Sequence, residues 1–303
     1  DKNSRKVYSL SIFFLAEPVS TSAEYALNGS GVESMAPRIS YIAVLSNDPT
    51  ALASFYRSQF GLDELGRSSE GDVSLTDGGF NLSLLRNRRA LREPHLETGL
   101  HHLGIAVDDI DAVVARYHEL YPRGTVVKET GDLQHGELRI YDPECNPVSL
   151  SQRNFGIAPE PGTRVPRIAH MALNALDTEA IRDFYQNVFG FRELFDAHAE
   201  SRKRPGYRNK HVGDGFSNVA IQTFYGEEES HEARFGIAHF GFMVPDSKAM
   251  AEQVQRGGAT VKPRPAIRTQ SEARMRDPEG NGCDLSQRGW EVDTDKWIRP
   301  VAA

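Results

Sequence analysis

Three residues in the second half of the chain have the types and settings needed to hold a divalent metal. His170 lies in the apolar run Arg-Ile-Ala-His-Met-Ala-Leu (167–173), and His239 in Gly-Ile-Ala-His-Phe-Gly-Phe-Met-Val (236–244). Asp284 follows a turn in Arg-Met-Arg-Asp-Pro-Glu-Gly-Asn-Gly-Cys-Asp-Leu-Ser-Gln-Arg (274–288). Two imidazoles and a carboxylate on three separate strands form a donor set suited to a divalent cation. Strand alternation puts Ile237, His239, Gly241 and Met243 on one face, and likewise Ile168, His170, Ala172 and Asn174. The small residues Gly241 and Ala172 predict open room around the two rings. A lone histidine amid apolar residues is more often a hydrogen-bonded core residue, so the metal reading rests on what positions all three.

An internal repeat supplies that positioning. Residues 38–62 and 167–191 share an opening strand, a Phe-Tyr pair (Phe55-Tyr56, Phe184-Tyr185) and a helix end (Phe60-Gly61, Phe189-Gly190) at a constant offset. Asp142-Pro143-Glu144 with Leu-Ser-Gln-Arg (150–153) recurs as Asp277-Pro278-Glu279 with Leu-Ser-Gln-Arg (285–288). Each half subdivides again, giving four units that start near residues 38, 100, 167 and 236. In each, an apolar strand meets a polar cap and then a helix with i, i+3, i+4 spacing, predicted at 49–60, 109–121, 178–189 and 246–257. Short alternating runs follow, among them Val73–Thr76, Asn81–Leu85, Glu137–Tyr141, Asn218–Phe224 and Ala273–Arg276, and read as antiparallel strands. Pro159, Pro161 and Pro166 mark a linker at about 155–166.

Four β-α-β-β-β units, with the Phe-Tyr…Phe-Gly helix and the Asp-Pro-Glu-Gly-Asn turn (277–281), resemble the vicinal oxygen chelate superfamily over residues 38–288. That group includes glyoxalase I, extradiol ring-cleaving dioxygenases and bleomycin-resistance proteins. The resemblance implies an α+β fold in which paired units curl into open barrels. It also implies metal ligands on the first and last strands of the units, the strands that carry His170, His239 and Asp284. In the first half Tyr41 replaces the first ligand and Ser149 the third, and only His102 survives, so that half reads as structural. A triad confined to the second half matches two-domain extradiol dioxygenases, which implies Fe(II), with Mn(II), Ni(II) and Zn(II) as alternatives. The implied activity is oxygenation of a small phenolic or catecholic molecule. A glyoxalase-type metal-dependent lyase or isomerase and a non-catalytic small-molecule binder of the same fold are the rival readings.

Two departures from the dioxygenase pattern stand out. The carboxylate is Asp284, one methylene shorter than the usual Glu. No histidine lies on the strand 218–222 to act as the acid-base group, and Arg274 stands where a Tyr is expected. Arg274 is the candidate for neutralising oxyanion charge, while His211 and Tyr225, with His231 and Tyr207, are candidates supplied by the longer loops. For these loop residues the competing reading is a solvated side chain. The charged runs Ser201–Arg204 and Glu227–Glu229 read as exposed loop faces. The turn 277–281 places the last strand, and Trp290 and Trp297 anchor the tail over the barrel.

Composition bounds the remaining choices. The 303 residues suffice for two domains, each with its own core, and 39% hydrophobic and 25% charged content are globular values. A net charge of −7 disfavours nucleic acid and an anionic membrane surface as partners. No apolar run is long enough to span a membrane. A small-molecule substrate is therefore the expected partner, with a homo-oligomer left open. Two cysteines, Cys145 and Cys283, suit a reducing, cytoplasmic setting. The expected layout is an N-terminal extension or transit segment at 1–34, with Met35 as a natural start and 7–15 as an added edge strand if ordered. A first domain at 35–155, a second at 165–290 and a tail at 291–303 follow.

Overall fold

Each of the four units opens with a strand that is almost wholly buried, and these four strands form the centres of two sheets. The structure, a computed structural model, describes residues 36–88, 98–130, 136–157, 164–194, 209–224, 236–264, 271–293 and 296–297. The first sheet contains β1 (Arg38–Ser46), β2 (Asp63–Arg67), β3 (Val73–Thr76), β4 (Asn81–Arg86), β5 (Gly99–Ala106), β6 (Val127–Lys128), β7 (Leu138–Tyr141) and β8 (Pro147–Ser151). Its order is β2-β3-β4-β1-β5-β8-β7-β6. The second contains β9 (Arg167–Ala175), β10 (Arg192–Glu193), β11 (Lys210–Gly213), β12 (Asn218–Thr223), β13 (Gly236–Met243), β14 (Thr260–Pro263), β15 (Ala273–Arg276) and β16 (Gly282–Ser286). Its order, β10-β11-β12-β9-β13-β16-β15-β14, repeats the first position for position. The protein is thus α+β, with two open eight-stranded sheets and no closed barrel among the described residues. A two-stranded ribbon, β17 (Glu291–Asp293) and β18 (Lys296–Trp297), follows.

Four helices complete the units: α1 (Pro49–Phe60), α2 (Ile110–Leu120), α3 (Thr178–Phe189) and α4 (Ser247–Arg256). Asp48, Asp109, Asp177 and Asp246 cap them, each accepting a hydrogen bond from a first-turn amide. Gly61 and Gly190 end α1 and α3 in the left-handed conformation that favours glycine. A cap stabilises by about 1 kcal/mol. Burying one large apolar side chain contributes about 1.5–3 kcal/mol, so the Phe and Tyr faces of α1 and α3 dominate their docking.

Those faces reach across the molecule. Phe60 stacks on Phe242 of β13 with ring centroids 4.0 Å apart, and Phe184 of α3 meets Tyr117 of α2 at 6.3 Å. One cluster of buried apolar side chains runs through both halves and joins the two sheets. The repeated Asp-Pro-Glu turns reinforce the junction. Glu279 accepts from Ser46 Oγ at 2.8 Å and the Asp48 amide at 2.9 Å, and Glu144 accepts from the Leu176 and Asp177 amides at 2.8 and 2.7 Å. Each turn therefore holds the start of a helix in the opposite half, besides shaping its own strand.

The predicted helices and strands agree with these elements to within one or two residues at their ends. Half of the linker, residues 158–163 with Pro159 and Pro161, lies outside the described residues, as do residues 1–34. Pro166 follows a cis peptide bond at the start of β9.

Candidate metal centre

Cross-strand register explains how three distant residues converge. Asn218 on β12 pairs with His170 on β9, His170 with Gly241 on β13, and Gly241 with Asp284 on β16. Arg274 on β15 pairs with Asp284 in turn. Directly paired residues point to one face of a sheet, so this row presents His170, Asp284 and Arg274 together. His239 lies two residues before Gly241 on β13 and shares that face. One possible ligand atom from each of His170, His239 and Asp284 lies within 4.8 Å of the other two, and all three residues are buried. Among the described residues no other group of His, Cys, Asp or Glu side chains converges in this way.

Surrounding groups fix the chemical state of each donor. Asn218 donates through Nδ2 to the Glu291 carbonyl at 2.6 Å, which turns its Oδ1 toward His170 Nδ1 at 2.9 Å. His170 must then carry its proton on Nδ1, leaving the Nε2 lone pair bare for a metal. Burial and then the neighbouring His239 push His170 well below the ordinary imidazole value, so its ring is neutral at pH 7. Trp290 stacks on the His170 ring at 4.8 Å with a 4° interplanar angle. A Cβ on Gly241 would stand 2.8 Å from that indole. The glycine thus admits Trp290 and does not leave the open room predicted for it.

Asp284 is the most heavily engaged group. Arg274 donates from Nε to Oδ1 at 2.5 Å and from Nη2 to Oδ2 at 3.0 Å. Arg264 Nη1 and Ser271 Oγ also donate to Oδ2, at 2.7 and 2.9 Å. Burial alone would raise this carboxyl, but Arg274, followed by His239 and Arg264, holds it well below the usual carboxylate range. It is ionised, as a metal ligand must be. Arg274 Nη2 also lies 2.9 Å from His239 Nε2.

The donor set fits a divalent cation. One imidazole has its outward nitrogen stripped of a proton by Asn218, a second stands beside it, and the carboxylate is ionised. The competing cation is the Arg274 guanidinium, which touches two of the three candidate donors and would have to release His239 Nε2 for a metal to bind there.

His211 is on strand β11, not on a loop. It pairs with Ala220, Ala220 pairs with Ala172, and Ala172 pairs with His239, so His211 shares the face of the triad. It is half-buried, and its charge is one of the influences that lower His170. Arg274 likewise faces the site, bound to Asp284. Tyr225, Tyr207 and His231 lie outside the described residues. Trp290 is buried in the site itself; the side chain of Trp297 is not described.

Sequence reasoning missed Asn218, Arg264 and Ser271. The signal for two of them was present in the repeat. Asn81 is the counterpart of Asn218, and its Nδ2 likewise donates to a carbonyl, that of Phe155, at 2.8 Å. Glu129 is the counterpart of Arg264, since each amide bonds the carbonyl of the matching residue on the neighbouring strand, Glu137 or Glu272. Ser271 has no polar counterpart, because Gly136 stands in its place.

A family model described as the Glyoxalase/Bleomycin resistance protein/Dioxygenase superfamily matches residues 38–150 and 167–285, most of the chain. The protein belongs to that superfamily. No curated protein matches it in sequence. Among solved structures, it is similar to a Mn(II)-bound glyoxalase from Novosphingobium aromaticivorans, with a TM-score of 0.62 at 18% identity over 88% of this chain and 86% of that one. Homoprotocatechuate 2,3-dioxygenase from Arthrobacter globiformis gives 0.59 at 16% identity, over 88% and 84% of the chains. The 2,3-dioxygenase LapB from Pseudomonas sp. KL28 gives 0.58 at 17%, over 83% and 91%. At these identities the likeness is one of fold. No helix among the described residues is long and apolar enough to cross a membrane.

Proposed function

We propose that the protein is a divalent-metal-dependent oxygenase of the extradiol type acting on a small phenolic or catecholic molecule, with His170, His239 and Asp284 as ligands and Fe(II) as the metal. The observation that carries this reading is the convergence of those three donors on a sheet face that also bears His211. Similarity in fold to two ring-cleaving 2,3-dioxygenases supports it. A metal bound there would supply Lewis-acid activation of a substrate hydroxyl and a common attachment point for substrate and O₂. The chain's own residues do the rest. Asn218 keeps the His170 ring in the metal-binding tautomer, and Trp290 fixes its plane. His211, on the same sheet face as the triad, takes and returns the hydroxyl proton. Arg274, freed from His239, offsets negative charge developing on the substrate.

Anaerobic protein reconstituted with Fe(II) and then exposed to O₂ with a panel of catechols tests this. The expected result is one O₂ consumed per catechol, with a His211→Asn variant slowed by about 10²-fold or more, the range for loss of an acid-base group. Metal-dependent turnover of a carbonyl substrate without O₂ uptake would replace this reading by the glyoxalase type. One specific observation favours a third reading, a non-catalytic binder: Asp284 already satisfies two arginines and a serine. Failure to retain metal would select it.

A further inference from the structure

The first half lacks two of the three candidate ligands, yet it bears a half-open pocket of about 380 Å³ on the equivalent sheet face. We propose that this cavity is a second ligand site, separate from the metal centre, for a small organic anion: a carboxylate on an aromatic or short aliphatic body. The proposal does not depend on the oxygenase reading.

The inner wall is polar. Arg139, the counterpart of Arg274, forms an ion pair with Glu129, whose side chain is only 8% exposed. Ser149 Oγ donates to Glu129 Oε1 at 2.8 Å, and an Arg139 amino group lies 3.5 Å from His102 Nε2. Two atoms of this cluster, Arg139 Nε and Glu129 Oε2, are buried without a hydrogen-bond partner among the described residues. A buried polar atom without a partner is unfavourable, so this wall gains from a polar ligand that settles against it.

Charge decides the sign of the ligand. Four cations line the cavity (Arg86, Arg88, Lys128, Arg139) against two carboxylates, Asp72 and Glu129. Both carboxylates are committed. Asp72 accepts from Arg88 Nη2 at 2.9 Å and from the Arg86 amide at 2.7 Å, and Glu129 is held by Arg139 and Ser149. Arg88 is also paired with Glu70, so the surplus positive charge rests on Arg86 and Lys128; it favours an anion and opposes a cation. No set of metal-ligating side chains converges here among the described residues.

The rest of the lining mixes polar Asn87, Thr130 and His101 with an apolar and aromatic part. Leu45, Leu85 and Tyr41 contribute to it, and Tyr41 is buried and stacked on Phe155 at 4.5 Å. A volume in the range of small-molecule pockets, with apolar walls and a few convergent polar groups, suits a compact aromatic acid better than inorganic phosphate.

Titration calorimetry of the full chain with benzoate tests the proposal, with neutral benzamide as the isosteric control. The expected result is one saturable benzoate site per chain with Kd at or below roughly 1 mM, and benzamide weaker by about tenfold or more. Lys128 is exposed on the short strand β6, so Lys128→Glu is expected to fold normally and to weaken benzoate by at least tenfold. Val127→Trp, which narrows the cavity from the same strand, is expected to do likewise. Arg264→Ala, in the other half, is expected to leave benzoate binding within twofold. The proposal is overturned if benzoate does not saturate, if benzamide binds equally well, or if Arg264→Ala abolishes binding while Lys128→Glu and Val127→Trp preserve it.

Discussion

The two halves of this molecule carry the same row of positions across the same sheet and fill it differently. In the second half the row reads Asn218, His170, Gly241, Asp284, Arg274; in the first it reads Asn81, Tyr41, Gly104, Ser149, Arg139. The supporting parts are kept in both. Each has an Asn tied to a backbone carbonyl, a glycine under an aromatic ring, and an arginine paired with a carboxylate. Within this row only the candidate ligand positions differ, and the carboxylate stands at Asp284 on the last strand in one half and at Glu129 beside β6 in the other. The scaffold thus tolerates two charge arrangements on one geometry: a converging triad in one half, and in the other an arginine–glutamate pair beside an open cavity.

The largest expected effect comes from the triad. His239→Ala or Asp284→Asn should remove tight metal binding, and with it catalysis by about three orders of magnitude or more, whereas His102→Ala in the first half should leave metal content unchanged. Metal analysis beside steady-state rates checks both. Equal losses from the two histidines would break the comparison.

Arg274 comes next. Arg274→Met leaves a buried carboxylate short of its main counter-charge, so metal-free protein should lose about 3–5 kcal/mol of stability. Thermal melts with and without Mn(II) should show a larger metal-induced rise in the variant than in the parent, because the ion replaces the missing cation and meets no competitor at His239. An equal rise in both proteins would mean that Arg274 does not compete with metal.

Asn218→Ala tests tautomer control. Losing the group that fixes His170 should cost about 10–100-fold in metal affinity, while Asn81→Ala should cost none. Competition with a chromophoric chelator gives both numbers.

The smallest effect concerns pH. Burial raises Asp142 from 3.8 to about 6. A carboxyl raised on folding favours the native state most when protonated, below its unfolded value, and that contribution is lost as pH rises through about 6. Asp142→Asn should therefore flatten the fall in melting temperature between roughly pH 4 and 6. The counterpart Asp277 differs in accepting the Tyr56 hydroxyl at 2.7 Å, whereas the Tyr185 hydroxyl is buried with no hydrogen-bond partner among the described residues.

Much of this was legible in the sequence for physical reasons. The offset repeats gave the four units, and the helix limits followed from Asp caps and glycine ends, whose chemistry is local. His170, His239 and Asp284 were visible because strand alternation and the repeat act together. What could not be read depends on register between strands far apart in sequence. His211 looked like a loop residue because β11 is short and polar, and only its pairing with Ala220 shows that it faces the triad. Arg264 and Ser271 reach Asp284 from a strand end and a loop end, where no periodicity announces direction. Gly241 suggested empty space because the ring that fills it, Trp290, comes from beyond the last strand.

The most direct measurement is metal stoichiometry after anaerobic loading with Fe(II) and removal of free ion by gel filtration. The account predicts close to one equivalent per chain in the parent, and less than about a tenth in both His239→Ala and Asp284→Asn. A folded parent protein holding less than about a tenth of an equivalent, or a His239→Ala variant that keeps its metal, would contradict it.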